Sequence, residues 1–377
     1  MSQKEKCECA RKTSIGGQAL MEGIMMRGPE KSAMAVRRPN GEIYFEEEAN
    51  VKKKRPAICR WPIVRGVFGF VESMIMGYKY LMRSAEIAME EPSEGTVEAV
   101  VSDADGAVPV EAEGAQAENV TEDGAADAKE KEEKAKEPKS AVGKGTMAVI
   151  TVIATVLGVA LAVGLFVWLP SFLFDLLKDH VLPRHLGNNR YLRSVFEGVL
   201  KIVVLIAYMA LVSLMKDIRR TFMYHGAEHK TIFCYENGLP LTVENVRKQG
   251  RFHPRCGTSF LILMLIVSIV IGFVIPIEIS GLRGIAYTFV RAGIKLLMIP
   301  LVMGIGYELL KFAGRHENLL TRIISAPGKW LQRITVLEPT DDMIECAIKA
   351  FVAVMPDEDR AAMEAEDAAQ TAEDAEE

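Results

Sequence analysis

The sequence predicts an all-α polytopic membrane protein with about four transmembrane helices and a small cytoplasmic α+β cap that includes an N-terminal β-hairpin. Three observations predict it: long uncharged blocks, an uneven placement of basic residues around them, and an alternating segment centred on Asn40-Gly41. The averages hide this, because 377 residues with 49% hydrophobic and 25% charged side chains and a net charge of -5 resemble a soluble protein. The charge is segregated. Residues 91–140 hold 15 acidic and 5 basic side chains and residues 357–377 hold 10 acidic and 1 basic, so the remainder of the chain is strongly basic. Mean hydropathy stays positive at +0.13 despite these two stretches. The apolar residues are therefore concentrated elsewhere, which excludes an ordinary soluble globule.

An apolar helix of about 20 residues is needed to cross the hydrocarbon core of a bilayer. Gly145 to Phe174 and Thr258 to Ile277 contain no charged residue and satisfy this directly. Val195 to Met215 is apolar apart from Glu197 and Lys201, and Ile285 to Leu310 apart from Arg291, Lys295 and Glu308. These four segments make a transmembrane region over residues 146–310. The first strong apolar run starts only at Gly145, which is not the pattern of a secretory leader. The charged residues within the weaker spans are expected to pair across helices, or else to snorkel towards the interface.

Orientation follows from basic residues in short flanks. The connection at residues 216–257 holds eight Lys or Arg, whereas Pro170 to Ser194 holds four and Glu278 to Gly284 only Arg283. The basic loop is therefore assigned to the cytoplasm, and four spans place both termini there, in a membrane crossed several times. The six cysteines, Cys7, Cys9, Cys59, Cys234, Cys256 and Cys346, then face a reducing compartment, and no disulfide framework is expected.

The cytoplasmic segment of residues 1–60 contains SAMAVRRPNGEIYFEEE, in which Asn40-Gly41 supplies the positive φ values of a tight hairpin. Upstream, SIGGQALMEGIMMRGP is too irregular for a periodic assignment and is read as a buried loop. Residues 61–90 form an amphipathic helix whose charged stripe includes Arg65, Glu72 and Lys79, spaced by seven. It lies in the membrane interface or packs on the bundle. Residues 91–140 and 357–377 have too few apolar residues to offset the entropy of ordering and are expected to be a disordered acidic linker and tail. Residues 311–356 supply cytoplasmic amphipathic helices over His316 to Ile324 and Asp341 to Met355, with Asp341 as an N-cap.

The clearest chemistry lies in the basic loop. His225 and His229 are four apart, so on a helix both imidazoles face one way and can share a cation. His225-Gly-Ala-Glu228-His229 matches H-x-x-E-H, in which the histidines bind zinc and the glutamate polarises a water. His253 and Cys256 add an imidazole and a thiolate, both good zinc ligands. All four would close a structural site, whereas three ligands and an open position suit hydrolysis. Glu236, Glu244 and Glu308 are candidates for a further carboxylate ligand. The competing reading makes the histidines interfacial hydrogen-bonding residues and Cys256 a small buried side chain.

SIGGQALMEGIMMRGP, YHGAEHK and HPRCGTSF, with IPLVMGIGYELLKFAG and the block from Pro327 to Glu338, resemble the YqhQ-like bacterial membrane proteins. The resemblance runs over Thr13 to Ala88 and Thr146 to Met355. It implies a multi-spanning membrane protein, described as a predicted metal-dependent enzyme, whose motif positions are His225, Glu228, His229, His253 and Cys256. The run Thr-Thr-Arg-Glu-Pro of that family stands here as Thr335-Val-Leu-Glu338-Pro339, so no role rests on its arginine.

These residues together predict an integral membrane protein holding a divalent metal, zinc by ligand type, at the cytoplasmic membrane face. As a hydrolase it would use Glu228 as general base on a lipid or membrane-peptide substrate. The alternative is a non-catalytic scaffold or assembly factor with a structural metal, working with a protein partner or a second copy. Nucleic acid is not expected as a partner, since the basic residues are accounted for by the flanks.

Overall fold

The computed structural model describes residues 13–50, 56–90, 144–253, 256–274, 284–316, 318–361 and 363. The expected acidic linker, Cys7, Cys9, the segment beyond Val274 and nearly all of the acidic tail lie outside these residues. The chain divides into two compact units, Met1–Pro92 with Val159–Glu377, and Ser93–Gly158. Of the second unit only the beginning of a helix is described.

The N-terminal strands β1 (Gly16–Leu20), β2 (Gly23–Arg27), β3 (Lys31–Arg37) and β4 (Ile43–Ala49) form one antiparallel meander. The hairpin expected at Asn40-Gly41 is β3–β4, with Arg37 opposite Ile43 and Gly41 at φ +90°. The segment read as a buried loop is instead a second hairpin, β1–β2, with Leu20 opposite Gly23. The reason is burial on both faces. Ile24, Met26, Ala33 and Ala35 face one apolar cluster, whereas Met25, Met34 and Val36 face another with Leu20, Tyr80 and Ile87. A strand covered on both sides has no solvated face and does not alternate polar with apolar residues.

The helices are α1 (Val64–Ala88), α2 (Lys144–Val163), α3 (Leu169–His180), α4 (Arg184–Gly187), α5 (Arg190–Val212) and α6 (Lys216–Glu236), then α7 (Val243–Arg247), α8 (Gly257–Val274), α9 (Gly284–Leu297), α10 (Ile299–Arg315), α11 (Leu319–Thr335) and α12 (Asp341–Val354). A π-helical turn at Gly164–Trp168 joins α2 to α3. It lies just before Pro170, which has no N–H for the carbonyl four residues back. Asn189 caps α5 by accepting hydrogen bonds from the N–H groups of Tyr191 and Leu192 at 2.9 and 3.2 Å.

Among the described residues three helices are long and apolar enough to cross a membrane: Val152–His180, Tyr191–Val212 and Phe289–Ala313. The expected fourth span, α8, is uncharged but has 18 residues within the described part, just under the ~20 that a bilayer core asks for. It runs through the middle of the bundle against α5, α10 and α11, burying Phe260, Ile262, Leu263 and Val267. Glu197 pairs with Arg291 and Lys295 at 3.1 and 2.6 Å, the cross-helix pairing that the sequence suggests.

α1 has two apolar faces. Gly66, Gly77, Tyr80, Ser84 and Ile87 are buried against α10 and the sheet, while Phe68, Met74, Ile75 and Tyr78 stay exposed. Arg65 binds Glu308 of α10 bidentately, with Nε donating to Oε1 at 2.6 Å. Glu308 is thereby held away from the histidines. α12 packs on β2, β3 and α6. Its N-cap is Thr340 rather than Asp341; Asp341 opens the helix, where a carboxylate favours the dipole, and binds Arg247. The helix expected at His316 to Ile324 starts at Leu319 with an Asn318–Thr321 capping box and continues to Thr335.

The sheet, α6 and α12 share one core around Tyr224, Met343, Ile344 and Phe351. Phe351→Ala should cost about 3–5 kcal/mol, read as a lowered thermal midpoint of the purified full-length chain. A midpoint equal to wild type would mean that this core does not hold the sheet to the helices.

Candidate metal centre

α6 carries His225, Glu228 and His229, and its central stretch is enclosed. Tyr224, Gly226 to Ile232 and Cys234 are all buried, beneath the sheet, α7, α12 and the extended segment following α11. That segment runs across α6 at Gly226: the Leu337 N–H donates to the Phe222 carbonyl at 2.9 Å. A β-carbon at residue 226 would lie 1.9 Å from the Leu337 carbonyl oxygen. The glycine that weakens the helix in isolation is what lets this crossing form.

The structure brings His225, His229 and Cys256 together, with one ligand atom from each lying within 4.8 Å of the others. His225 reaches the Thr335 carbonyl through Nδ1 at 3.0 Å and the Cys256 sulfur through Nε2 at 3.1 Å. His229 reaches the Arg251 carbonyl through Nδ1 at 2.6 Å. A carbonyl only accepts, so each Nδ1 carries the proton and each Nε2 presents a lone pair; that of His225 accepts from the Cys256 thiol, whose proton a metal would displace. This is the outer-shell arrangement that orients metal-binding histidines. The buried Nε2 of His229 has no hydrogen-bond partner. Burial also holds the His229 imidazole below its usual pKa, which favours the neutral ligand form.

Cys256 immediately precedes α8, and its sulfur accepts a hydrogen bond from the Thr258 N–H at 3.4 Å. Two nitrogens and one sulfur are a zinc-class donor set. Tetrahedral bonds of about 2.0–2.3 Å place neighbouring donor atoms about 3.3–3.8 Å apart. The His225 Nε2–Cys256 sulfur distance of 3.1 Å and the 4.8 Å within which all three ligand atoms lie span this spacing, so the three residues fit such an ion after small side-chain adjustments.

The other two predicted residues lie outside this group. His253 is buried, but its Nε2 faces the Glu236 carboxylate at 3.6 Å, and its ring packs on Phe233 and His229 with centroids 4.7 and 5.7 Å away. Glu228 turns towards the sheet and accepts the Gly17 N–H at 3.1 Å. Burial raises its pKa, opposed by the charge of His225 and by that hydrogen bond. Of the candidate carboxylate ligands, Glu236 is with His253, Glu244 binds Lys248 at 2.7 Å and Glu308 binds Arg65.

Sequence reasoning missed the supports. Gly17 and the carbonyls of Arg251 and Thr335 act through the backbone, which no side-chain motif marks. Glu338 binds the buried Lys230 at 2.8 Å and Arg251 at 3.0 Å, securing both the helix and the loop that accepts from His229. Its only signal was its place in the Pro327 to Glu338 block. Gly226→Ala, which would favour an unpacked helix by about 1 kcal/mol, should here destabilise by about 1–3 kcal/mol. Thermal melts beside Gly293→Ala, whose β-carbon meets nothing within 4 Å, will read this; equal midpoints would remove the crossing from the account.

Residues 61–357 match the family model described as "Protein of unknown function (DUF1385)". A Bacillus subtilis (strain 168) protein, "Uncharacterized protein YqhQ", is 30% identical over 341 residues, which is 90% of this chain and 91% of that protein. No solved structure matches. With a family model spanning all three clustered residues and a relative aligned over nearly its whole length, the chain belongs to the YqhQ-like DUF1385 family.

Proposed function

We propose that this protein is a membrane-spanning, zinc-dependent hydrolase with its site at the cytoplasmic membrane face. The observation that carries the reading is the buried, unpartnered Nε2 of His229, set beside the His225 Nε2 and the Cys256 sulfur. An unsatisfied buried polar atom costs about 1–3 kcal/mol, and a metal removes that cost. When bound, zinc supplies Lewis-acid polarisation of a carbonyl and of the attacking water.

The chain's own residues do the rest. His225, His229 and Cys256 would hold the ion, and His253, turned to Glu236, stands outside that ligand set, as suits a catalytic rather than a closed structural site. Glu228, next to His229 in sequence, would be the general base once its carboxylate turns from the Gly17 N–H towards the group: it would take a proton from the attacking water and return it to the leaving group as an amide or ester is split into acid and amine or alcohol. Its burial raises its pKa towards the range in which proton transfer is effective near neutral pH. Lipids and membrane peptides are the substrate class, because the loop is tied to helices of membrane-spanning length. The eight basic residues of residues 216–257 support a cytoplasmic site, and α8, uncharged from Thr258 to Val274, is read as the fourth span.

A second reading is favoured by the hydrogen bond from Gly17 to Glu228. On it the glutamate only ties β1 to α6, and the protein is a scaffold with a structural metal. Glu228→Gln separates the two, since an amide oxygen still accepts from Gly17 but cannot act as a base. The hydrolase predicts a folded variant with full metal content and turnover reduced about 100-fold or more. A variant with unaltered function in cells would assign Glu228 to the tie alone.

Metal content should be about one zinc per chain in detergent-purified protein, by the three-ligand reasoning, and near zero in a folded His225→Ala, His229→Ala double variant, by elemental mass spectrometry. Well-folded wild type that takes up no metal after reconstitution with zinc or manganese would overturn both readings.

A further inference from the structure

A second polar centre lies far from the histidines. Between α3, α5, α8 and the α9–α10 pair is a cavity of about 610 Å³, lined by Lys178, Arg193, Lys201, Arg291 and Lys295 together with Glu197. Its volume is in the range of about 300–1,000 Å³ typical of small-ligand sites. Much of its wall is apolar, including Phe166, Leu265, Ile269 and Val302. Cys256 immediately precedes α8, whereas Ser268 and Gly272 in the last turns of that helix line the cavity. At 1.5 Å per residue the two centres are roughly 18–24 Å apart.

The cavity's charges do not cancel. Glu197 is shared by Arg193, Arg291 and Lys295, at 2.9, 3.1 and 2.6 Å, and Arg193 also binds Asp175 at 2.8 Å. Ser171 donates to Glu197 at 3.2 Å. With Lys178, which also lines the cavity, five cations thus face the two carboxylates Glu197 and Asp175, an excess of three positive charges. Lys201 lies one turn beyond Glu197 on α5, lines the cavity and makes no direct ion pair among the described residues. Cations enclosed among apolar helices require counter-charge, because desolvation costs several kcal/mol per ion when it is not compensated. The excess charge therefore calls for an anion, and the apolar wall for something attached to it.

We propose that this cavity binds a phosphate-class oxyanion, carried on the headgroup of an acidic phospholipid, with Lys201 as its principal ligand and Lys295 and Arg291 completing the cationic wall. The headgroup sits among the cations and the start of its acyl chains lies along the apolar wall. Glu197 holds the three paired cations in place, so the site is formed before the lipid enters. This site is independent of the proposed metal centre.

The test uses the full-length protein in a neutral maltoside detergent. Dioleoyl phosphatidylglycerol, dioleoylglycerol and inorganic phosphate are titrated separately, with binding read by native mass spectrometry and by thermal shift. The phosphatidylglycerol should bind saturably and stabilise the protein, while dioleoylglycerol, with the same chains and no oxyanion, should not. Displacement of the lipid by inorganic phosphate would support the oxyanion site, and binding of phosphate without any lipid binding would identify the free anion as its source. Lys201→Met removes one charged hydrogen-bond donor and should weaken binding about tenfold to hundredfold, with Lys201→Arg restoring it. Equal binding of dioleoylglycerol, or unchanged affinity in a folded Lys201→Met, would overturn the proposal. Should Lys201→Met fail to fold, saturable lipid binding to wild type that phosphate does not displace would overturn it equally.

Discussion

The cap depends on burying the central turns of one polar helix. Glu228, His229, Lys230 and Thr231 follow one another on α6 and are all buried. Each would cost about 1–3 kcal/mol if left without a partner, and together that approaches the entire stability of a typical domain. The partners come from almost every neighbouring element. β1 offers the Gly17 N–H to Glu228, the loop before α8 offers the Arg251 carbonyl to His229, and α7 offers the Arg247 carbonyl to Lys230. Only Thr231 is satisfied within the helix, by the Ala227 carbonyl. Sheet, loop and short helix are therefore placed by the needs of α6, and the apolar contacts of Tyr224, Ile232 and Phe351 fill the space between them.

One atom stands outside this economy of partners. The His229 Nε2 is as buried as its neighbours, and the structure that satisfies Lys230 twice leaves it with nothing. An enclosure able to hold an ammonium with a carbonyl and a carboxylate could equally have placed a donor near an imidazole. What it places there instead is a second imidazole and a thiol, neither of which serves a neutral Nε2 as well as a cation does. The two Nδ1 contacts to backbone carbonyls fix both rings in the orientation that leaves this lone pair facing its neighbours. The extended Leu337 segment, admitted by Gly226, helps bring one of those carbonyls within reach.

What was legible in the sequence was whatever depends on local spacing. The i, i+4 histidines, the uncharged helices, the Asn40-Gly41 turn and the amphipathic α12 all follow from periods that the chain carries in itself. The β1–β2 hairpin was not legible, because Met25 and Met26 point into different cores and no solvated face imposes a polar period on the strand. The separation of His253 from the other ligands was equally hidden. It depends on Glu236, seventeen positions away at the end of α6, and on the Gln332 side chain donating to the His253 carbonyl at 2.7 Å. Long-range contacts of this kind leave no trace in spacing. Glu308 shows the same limit: Lys311 and Arg315 are its near neighbours in sequence, yet Arg65 takes it.

α8 is the element that connects the two polar centres while remaining apolar itself. Its sequence has no charged residue from Thr258 to Val274, and it is buried on several sides against α5, α10 and α11. A helix apolar all round needs an apolar surround, whether protein or lipid, and along much of α8 the helices α5, α10 and α11 supply it. That position sets Cys256 at the boundary between the bundle and the cap, and Gly272 beside Ser194 at the far end, where the Ser194 hydroxyl donates to its carbonyl at 3.3 Å. A shift of α8 along its axis by one helical turn, about 5.4 Å, would withdraw the sulfur from His225 and disturb that contact together. The apolar packing in the middle of the bundle therefore sets the geometry at both ends, although neither end shares a residue with the other.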